Sequence, residues 1–419
     1  ADTIGVFQIE SRAQIASLRA TQPRNLEDLA IQVALIRPGP IMAGAFHPFM
    51  EMRRRAVRGE PVNVHYAHPC LEKVLKETLG VVIFQDQVLE IAMAAAGYTA
   101  GEAERLRRAM SRRRSTEVMG QEWPRFREGC ARVHRMGESK AREIFDQLLA
   151  FAAFGFPKSH SVAFALLAYE SAWLHHYYPA EYLAALLNSQ PMGFYRPHVL
   201  VGDAKRHGLT VRPPAVNASG ARCVVESNSS IRLGLDSVSG VGLEQARAIV
   251  AEREANGAFV SLFDFTRRTR LKRNPIEALI MGRAFEEFGL PPRELLWQLG
   301  LFFVDKQAGQ PQLELPTDQA MVRLPRLTRW ERLQEDYVQL GLSLELHPLA
   351  LLRPKLAGLP TSRDLNRLKE GQHIAFAGLV VCRQRPSTAS GLVFELLEDE
   401  LGLTNVVIYS DLFDRERET

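Results

Sequence analysis

Apolar positions recur at helical spacing through the first 190 residues. Leu18, Leu26, Leu29, Val33 and Ile36 mark one stretch, which Arg37-Pro38-Gly39-Pro40 breaks. Leu71 to Leu75 opens another helix. Val81 to Phe84 reads either as a short strand or as a helix entry, and Gln85 to Ala96 as a helix that Gly97 ends. Thr99, with Glu102 three residues on, makes a capping box for the next helix. Ala141 to Phe154 is again helical and closes at Gly155-Phe156-Pro157. Ser159 or Ser161 then caps a long apolar helix that runs to Tyr177-Tyr178-Pro179, and Glu181 to Leu187 adds a short one.

The pattern changes after residue 190. Residues 191–230 carry Pro191, Pro197, Pro213 and Pro214, with a β-like piece at Cys223 to Glu226. Residues 231–300 return to helical spacing with glycine turns. Residues 301–345 hold Gly309, Pro311, Pro316 and Pro325 and read as a linker. From Ile374 the period becomes strand-like, over Ile374 to Cys382, Val393 to Leu397 and Val406 to Tyr409. Pro386 to Gly391 and Glu398 to Gly402 supply the turns. The expected fold is multidomain and mainly α, with a partial β-barrel at the C-terminal end.

Composition narrows the class. The chain has 419 residues, 52 Lys+Arg against 48 Asp+Glu, 46% apolar and 24% charged positions. That balance suits a soluble globular protein and excludes wholesale disorder. A chain this long builds its core without disulfide or metal staples. Cys70, Cys130, Cys223 and Cys382 are far apart and form no CxxC pair, so the common zinc spacings are missing. They read as free thiols of a cytoplasmic protein. No run reaches the ~18 apolar residues of a membrane span; Val162 to Leu174 already contains Glu170. No charged-then-apolar leader opens the chain. The start at Ala1-Asp2-Thr3 and the stop at Arg417-Glu418-Thr419, just past a strand-like run, read as the edges of a segment of a longer protein.

Five groups of residues could carry chemistry. Arg105, Arg107, Arg108, Arg112, Arg113 and Arg114 crowd one helical stretch, with Arg105, Arg108 and Arg112 on one face. A phosphate-rich ligand would neutralise them, and Arg binds phosphate bidentately; the bland alternative is a solvated face paired with Glu102, Glu104 and Glu117. In Phe156-Pro157-Lys158-Ser159-His160-Ser161, a Lys and a His sit where a helix begins, a place that attracts anions; the alternative is a capping serine with an incidental Lys and His. Leu235 to Ala246, then Ile249 and Val250, have the helix-hairpin-helix form. There Gly240 and Gly242 let the backbone approach a phosphate without a Cβ in the way. Such a contact reads no bases. The strands from Ile374 suit the start of an OB barrel, which grips single strands, and Arg383 and Arg385 lie near its loop mouth. Gln298-Leu299-Gly300-Leu301-Phe302 matches a sliding-clamp peptide, with Gln298, Leu301 and Phe302 as anchors, or else is simply the end of a helix. There is no Asp-x-Asp, no glycine-rich Lys-Ser/Thr loop and no HExxH.

Several of these pieces stand in one known order. Gly5 to Ser11, Ala34 to Pro40, Thr78 to Val88, Leu106 to Met110 and Phe156 to Ser161 resemble the fingers of the bacterial C-family DNA polymerases, the relatives of the replicase α subunit. Leu187 to Tyr195, Leu342-Ser343-Leu344 with His347-Pro348, and Gly378 to Gly391 resemble its error-prone branch. The resemblance covers nearly the whole chain. It implies fingers over 1–190, a helix-hairpin-helix domain over 191–300, a linker over 301–370 and the first part of an OB fold over 371–419. It implies DNA synthesis past damage with Mg²⁺, dNTPs and primer–template. Arg107, Arg108 and His160, joined by Lys158 and Arg37, would lie near the incoming triphosphate. Gly240, Gly242, Arg112, Arg113, Arg383 and Arg385 would face DNA. The family's metal-binding aspartates sit in a palm ahead of Ala1, so no catalytic or metal-binding residue is expected here, and the segment alone is expected to be inactive. Partners would be DNA, the sliding clamp and other translesion proteins. A replicative α-subunit segment, or a non-enzymatic DNA-binding scaffold, would carry many of the same features. Ser111-Arg112-Arg113 departs from the usual Gly-Lys-Lys, Asp86 from Glu, and Ser387 from Gly.

Overall fold

The computed structural model describes residues 3–36, 46–110, 120–152, 156–303, 322–369, 371–385 and 391–416. The chain forms two compact units, residues 1–173 with 386–391 and residues 174–385 with 392–419.

In the first unit, the apolar stretch from Leu18 to Ile36 is not one helix. It divides into Arg12–Thr21 and Leu26–Leu35, parted where Gln22 turns left-handed at φ 41°. Pro23 follows and removes a backbone donor at the break. Ser11 and Asn25 cap the two helices by accepting the N–H groups of Gln14 and Asp28. The second helix is buried from Leu29 to Leu35, including Gln32. An unpaired buried amide would be costly. Gln32 avoids this by donating to Gln14 Oε1 at 2.5 Å and Ser17 Oγ at 2.6 Å, and by accepting from Thr21 Oγ1 at 2.6 Å.

Two apolar clusters organise this unit. One gathers Ile9, Leu29, Val33, Leu35, Phe49, Ile83, Phe84, Phe156 and Ala165. The other gathers Leu75, Val88, Ile91, Ala95, Phe126, Phe145 and Leu148. The Gln85–Ala96 helix joins them: the residues just before it enter the first, and its own apolar face fills the second. Gly97, at φ 69°, ends the helix as expected. The Trp123–His134 helix crosses that end closely: a Cβ on Gly129 would fall 2.2 Å from the Ala96 carbonyl oxygen. The Thr99–Glu102 capping box forms. Val81 to Phe84 is a helix entry and not a strand. The long apolar helix begins at Lys158, so neither candidate serine caps it. Ser159 is exposed, and buried Ser161 donates to the Ala30 carbonyl.

In the second unit, β1 (Thr210–Arg212), β2 (Val224–Ser227) and β3 (Ser230–Arg232) form a small sheet in the order β1-β3-β2. Helices Leu243–Asn256, Leu262–Thr269, Arg273–Met281 and Pro292–Phe302 follow. They share a core of Ile249, Phe259, Phe265, Ile276, Phe285 and Leu299. The 301–345 stretch contains a helix, Arg329–Leu340, which Thr328 and Glu331 cap reciprocally and which packs on Arg273–Met281. Its prolines and glycines concealed it. Buried Arg283 ties the two regions, holding Glu286 and Glu345 each at 2.6 Å.

At the C-terminal end β4 (Leu379–Gln384), β5 (Val393–Glu398) and β6 (Leu403–Ile408) make an antiparallel meander. Among the described residues no barrel closes, which fits a partial OB-type fold. The Glu398-Asp399-Glu400 turn is not a free polar hairpin. Asp399 is 2% exposed and accepts the N–H groups of Ser362, Leu401 and Gly402, while Glu400 takes Arg353 in two bonds of 2.7 and 2.8 Å. Among the described residues no helix is long and apolar enough to cross a membrane.

Glu10 gives the first unit a pH dependence. Burial pushes its carboxyl up from 4.5 to about 7, against a hydrogen bond with the backbone of Gly5. A carboxyl raised in the folded state contributes stability below its unfolded value and loses it as pH climbs through the folded one. Glu10→Gln should therefore flatten the fall in stability between pH 5 and pH 8 by about 2–3 kcal/mol. Urea melts at the two pH values measure this. Identical pH profiles for the two proteins would show that Glu10 does not titrate in this way.

Candidate nucleotide and nucleic-acid sites

The first site is built around the entry to the Gln85–Ala96 helix. Leu79 and Gly80 turn the chain with φ of 53° and 81°. A side chain at Gly80 would meet Val64 Cγ1 at 2.8 Å. Ile83 and Phe84 then run extended, and both donate their N–H groups to Gln87 Oε1, at 2.9 and 3.0 Å. Gln87 in turn donates to Thr78 Oγ1 at 2.8 Å. Thr78 and Gln87 thus brace the entry from inside the fold. Two further bonds join it to a distant segment. Gln85 N–H donates to the Phe156 carbonyl at 2.9 Å, and Lys158 N–H donates to Asp86 Oδ2 at 2.6 Å. Asp86 lies in the first turn of its own helix and caps the first amide of the Lys158–Tyr177 helix as well. A carboxylate is favoured at both N-termini.

This tie sets the start of the Lys158–Tyr177 helix against Asp86, whose charge also reaches Arg107. Lys158 Nζ pairs with Glu77 Oε2 at 2.7 Å and lies 5.9 Å from the Phe84 ring centroid. His160, in the first turn of the helix and exposed, packs between Phe156 and Phe164 at 5.0 and 4.3 Å. Arg107 is bidentate on Glu104, at 2.8 and 2.7 Å, and its guanidinium feels the charge of Asp86. Arg108 reaches the same Glu104 at 3.2 Å and is largely exposed. Hydrogen bonds from Arg107 and Arg108 hold the Glu104 carboxyl down to about 2. Glu90 completes the neighbourhood. Burial raises its carboxyl, opposed first by the charge of Lys158 and reinforced by Asp86 and Glu77. The arginine-rich helix is therefore no bare positive field. Glu104 and Glu102 take up Arg107, Arg108, Arg105 and Arg125. Such exposed pairs are weak and exchange readily for a stronger anion.

The second site is the hairpin. Val238 and Val241 anchor it in the core, at 1% and 4% exposure, and leave Ser239, Gly240 and Gly242 at the surface. Gly240 sits at φ 83°, and open space surrounds it. Gly242 is different: it is extended at φ −72° and starts the Leu243–Asn256 helix, with its N–H on Gln245 Oε1 at 3.1 Å. Ser239 N–H donates to the Gln339 carbonyl at 2.6 Å. The end of the Arg329–Leu340 helix thereby flanks the hairpin across an open groove of about 620 Å³. Nothing in the sequence pattern placed that helix there.

The remaining sequence candidates are dispersed. Arg37, Arg112 and Arg113 lie outside the described residues. Arg383 pairs with Glu395 at 2.6 Å; Arg385 pairs with Asp414 at 3.8 Å and lies over the Phe413 ring. Gln298, Leu301 and Phe302 fall in the last turns of the Pro292–Phe302 helix, where Phe302 packs on Phe263 at 4.9 Å. Clamp docking through Phe302 would have to break that contact. Arg253, on the helix that follows the hairpin, is spent on the carbonyls of Val216 and Ser219. Glu77 was missed altogether. It sits in an irregular turn with no pattern around it, and only the fold brings it to Lys158.

The helical unit with its basic cluster and the glycine hairpin define a protein that combines a polymerase-type finger domain with a helix-hairpin-helix domain. Residues 1–134 match the family described as bacterial DNA polymerase III alpha subunit finger domain, and residues 208–295 match the helix-hairpin-helix motif. Over its full length the chain is 43% identical to an error-prone DNA polymerase of Corynebacterium efficiens, of which it covers 38%. It is 42% identical to one of Bdellovibrio bacteriovorus, covering 41%, and 43% identical to one of Mycobacterium bovis, covering 38%. The chain is thus similar along its whole length to a segment of bacterial error-prone DNA polymerases. It spans about two fifths of the length of these relatives.

The two hairpin glycines should respond differently to a methyl group. Gly240→Ala places a side chain at positive φ and should cost about 1–2 kcal/mol. Gly242→Ala adds a Cβ whose nearest neighbour is 3.9 Å away. It should change stability by less than about 0.5 kcal/mol. Thermal and urea melts of the two variants compare them directly, and equal losses would contradict the hairpin geometry.

Proposed function

We propose that this chain supplies the fingers and the DNA-gripping hairpin of a polymerase that copies DNA across damaged template in the cytoplasm. Arg107 and Lys158 hold the triphosphate of the incoming dNTP, with Arg108 and His160 at its edge. The observation that carries this reading is the bond from Lys158 N–H to Asp86, which joins two distant segments where the Asp86 charge also reaches Arg107. Glu104 and Glu77 occupy the cations until phosphate replaces them, so the basic groups stay oriented without a ligand. Charge-assisted bonds to a triphosphate are stronger than these exposed pairs. His160, pinned between two rings, keeps a fixed place next to Lys158. The hairpin holds primer–template by its backbone, independent of base sequence.

Polymerisation in this family also implies Mg²⁺, which takes near-octahedral oxygen ligands. The acids at the basic cluster do not fit it. Asp86 is engaged by an amide N–H, Glu77 by Lys158 and Glu104 by two arginines. The carboxylates for the ion belong, on this reading, to the three fifths of the relatives' length that this chain does not span.

The reading predicts a separation of effects in the full-length enzyme. Arg107→Ala should raise the KM for dNTP about 10- to 100-fold, the loss of one or two charge-assisted bonds, and leave the Kd for primer–template unchanged. Gly242→Val should weaken DNA and lower the salt slope by about one phosphate contact, 0.9 in log–log terms, with the KM for dNTP unchanged. Steady-state kinetics and salt titrations read both. A normal KM in Arg107→Ala, or a normal DNA titration in Gly242→Val, would remove that residue from its assigned role.

A further inference from the structure

The first unit holds a second group of polar side chains, none of which belongs to the acids and bases above. His68 and Cys70 lie on the turn Pro69–Leu71, and His134 is the last residue of the Trp123–His134 helix. One ligand atom from each lies within 4.8 Å of the others, the single such group among the described residues. The two imidazole rings are 4.9 Å apart. We propose that His68, Cys70 and His134 form a binding site for a zinc-like divalent ion.

The tautomers support this. His134 Nε2 lies 2.7 Å from the Ala94 carbonyl oxygen, which can only accept, so Nε2 carries the proton and Nδ1 keeps its lone pair. A histidine that binds metal is commonly oriented by this kind of bond from its other nitrogen to a carbonyl. His68 Nδ1 accepts the Cys70 N–H at 3.3 Å, so its lone pair is also on Nδ1. That bond is long and easily surrendered to an ion. Two imidazole nitrogens and one sulfur suit Zn²⁺ far better than Mg²⁺. Tetrahedral zinc asks for ligand separations of about 3.3–3.6 Å, so the three atoms must draw together by roughly 1 Å. The turn and the helix end are small enough elements to allow it. Burial raises the Cys70 thiol, so without an ion it stays protonated at neutral pH. Binding exchanges that proton, released to solvent, for a metal–thiolate bond. The Lys140 charge reaches His68 and opposes a cation, but Lys140 is itself paired with Glu143 at 2.7 Å. A fourth position remains for water. Bound, the ion would lock the Pro69–Leu71 turn to the end of the crossing helix.

The spacing His-x-Cys, followed 64 residues later by His, matches no common zinc pattern. Only the crossing of the Gln85–Ala96 and Trp123–His134 helices assembles it.

The test uses the whole chain, stripped with a chelator and kept reduced with a phosphine. Zn²⁺ is titrated and counted by mass spectrometry, and Co²⁺ serves as the optical probe. The expected result is one ion per chain, a thiolate-to-cobalt charge-transfer band, and a melting temperature raised by Zn²⁺. Cys70→Ser should abolish the band. His134→Gln, which keeps an N–H for Ala94, should weaken binding about 100-fold or more, and Cys382→Ser should change nothing. Circular dichroism checks that the variants fold; if Cys70→Ser does not, His68→Gln replaces it. Less than half an ion per chain in the unaltered protein, cobalt binding without the band, or undiminished binding in folded Cys70→Ser or His134→Gln would each overturn the proposal.

Discussion

The arrangement of the first unit depends on one carboxylate. Asp86 Oδ2 accepts the Lys158 N–H at 2.6 Å while sitting in the first turn of its own helix. Two helix N-termini, more than seventy residues apart in the chain, therefore share one negative charge. Without it the Lys158 amide would lose its acceptor, and both N-termini would lose the negative charge that offsets their partial positive charge. The neighbouring bond from Gln85 N–H to the Phe156 carbonyl keeps the two segments in register. The triphosphate proposal rests on this tie, because Lys158 and His160 are about fifty residues from Arg107 in sequence and Asp86 reaches both Lys158 and Arg107.

The two proposed phosphate sites work by different physics. At the basic cluster, on the proposed reading, charge would do the holding, with Glu104 and Glu77 paired to the cations through exposed bonds weak enough to exchange. At the hairpin, on the same reading, shape would do the holding. Gly240 supplies a left-handed turn, and Gly242 leaves a helix N-terminus uncovered. Arg253 contributes less there than its place beside the hairpin suggests, since it is consumed by carbonyls. A triphosphate is small and highly charged and suits the first mode. A duplex presents a regular row of phosphates and suits the second.

Local features were legible in the sequence. The Gln85–Ala96 helix, its glycine stop and the Thr99–Glu102 box are written within a few residues of one another and formed as read. So was the hairpin, whose glycines and apolar anchors are consecutive. What escaped is what depends on distant partners. The break at Gln22 was hidden because the apolar spacing continued across it. The Arg329–Leu340 helix was hidden because nearby prolines dominate the composition. Ser159 and Ser161 looked like caps by type, but a carboxylate from another helix had taken that role. The resemblance marked Asp86 as a mild departure from Glu, with no sign that its side chain joins two segments.

The most direct test substitutes Asp86 in the full-length polymerase and measures the KM for dNTP. Removing a negative charge beside a triphosphate should, by electrostatics alone, tighten binding. The account here predicts the reverse for Asp86→Ala, a KM raised several-fold because Lys158 and its helix lose their anchor. Asp86→Asn, whose carbonyl oxygen still accepts the Lys158 N–H, should bind at least as well as the unaltered enzyme. A lowered or unchanged KM in Asp86→Ala would contradict the claim that this tie positions the basic cluster.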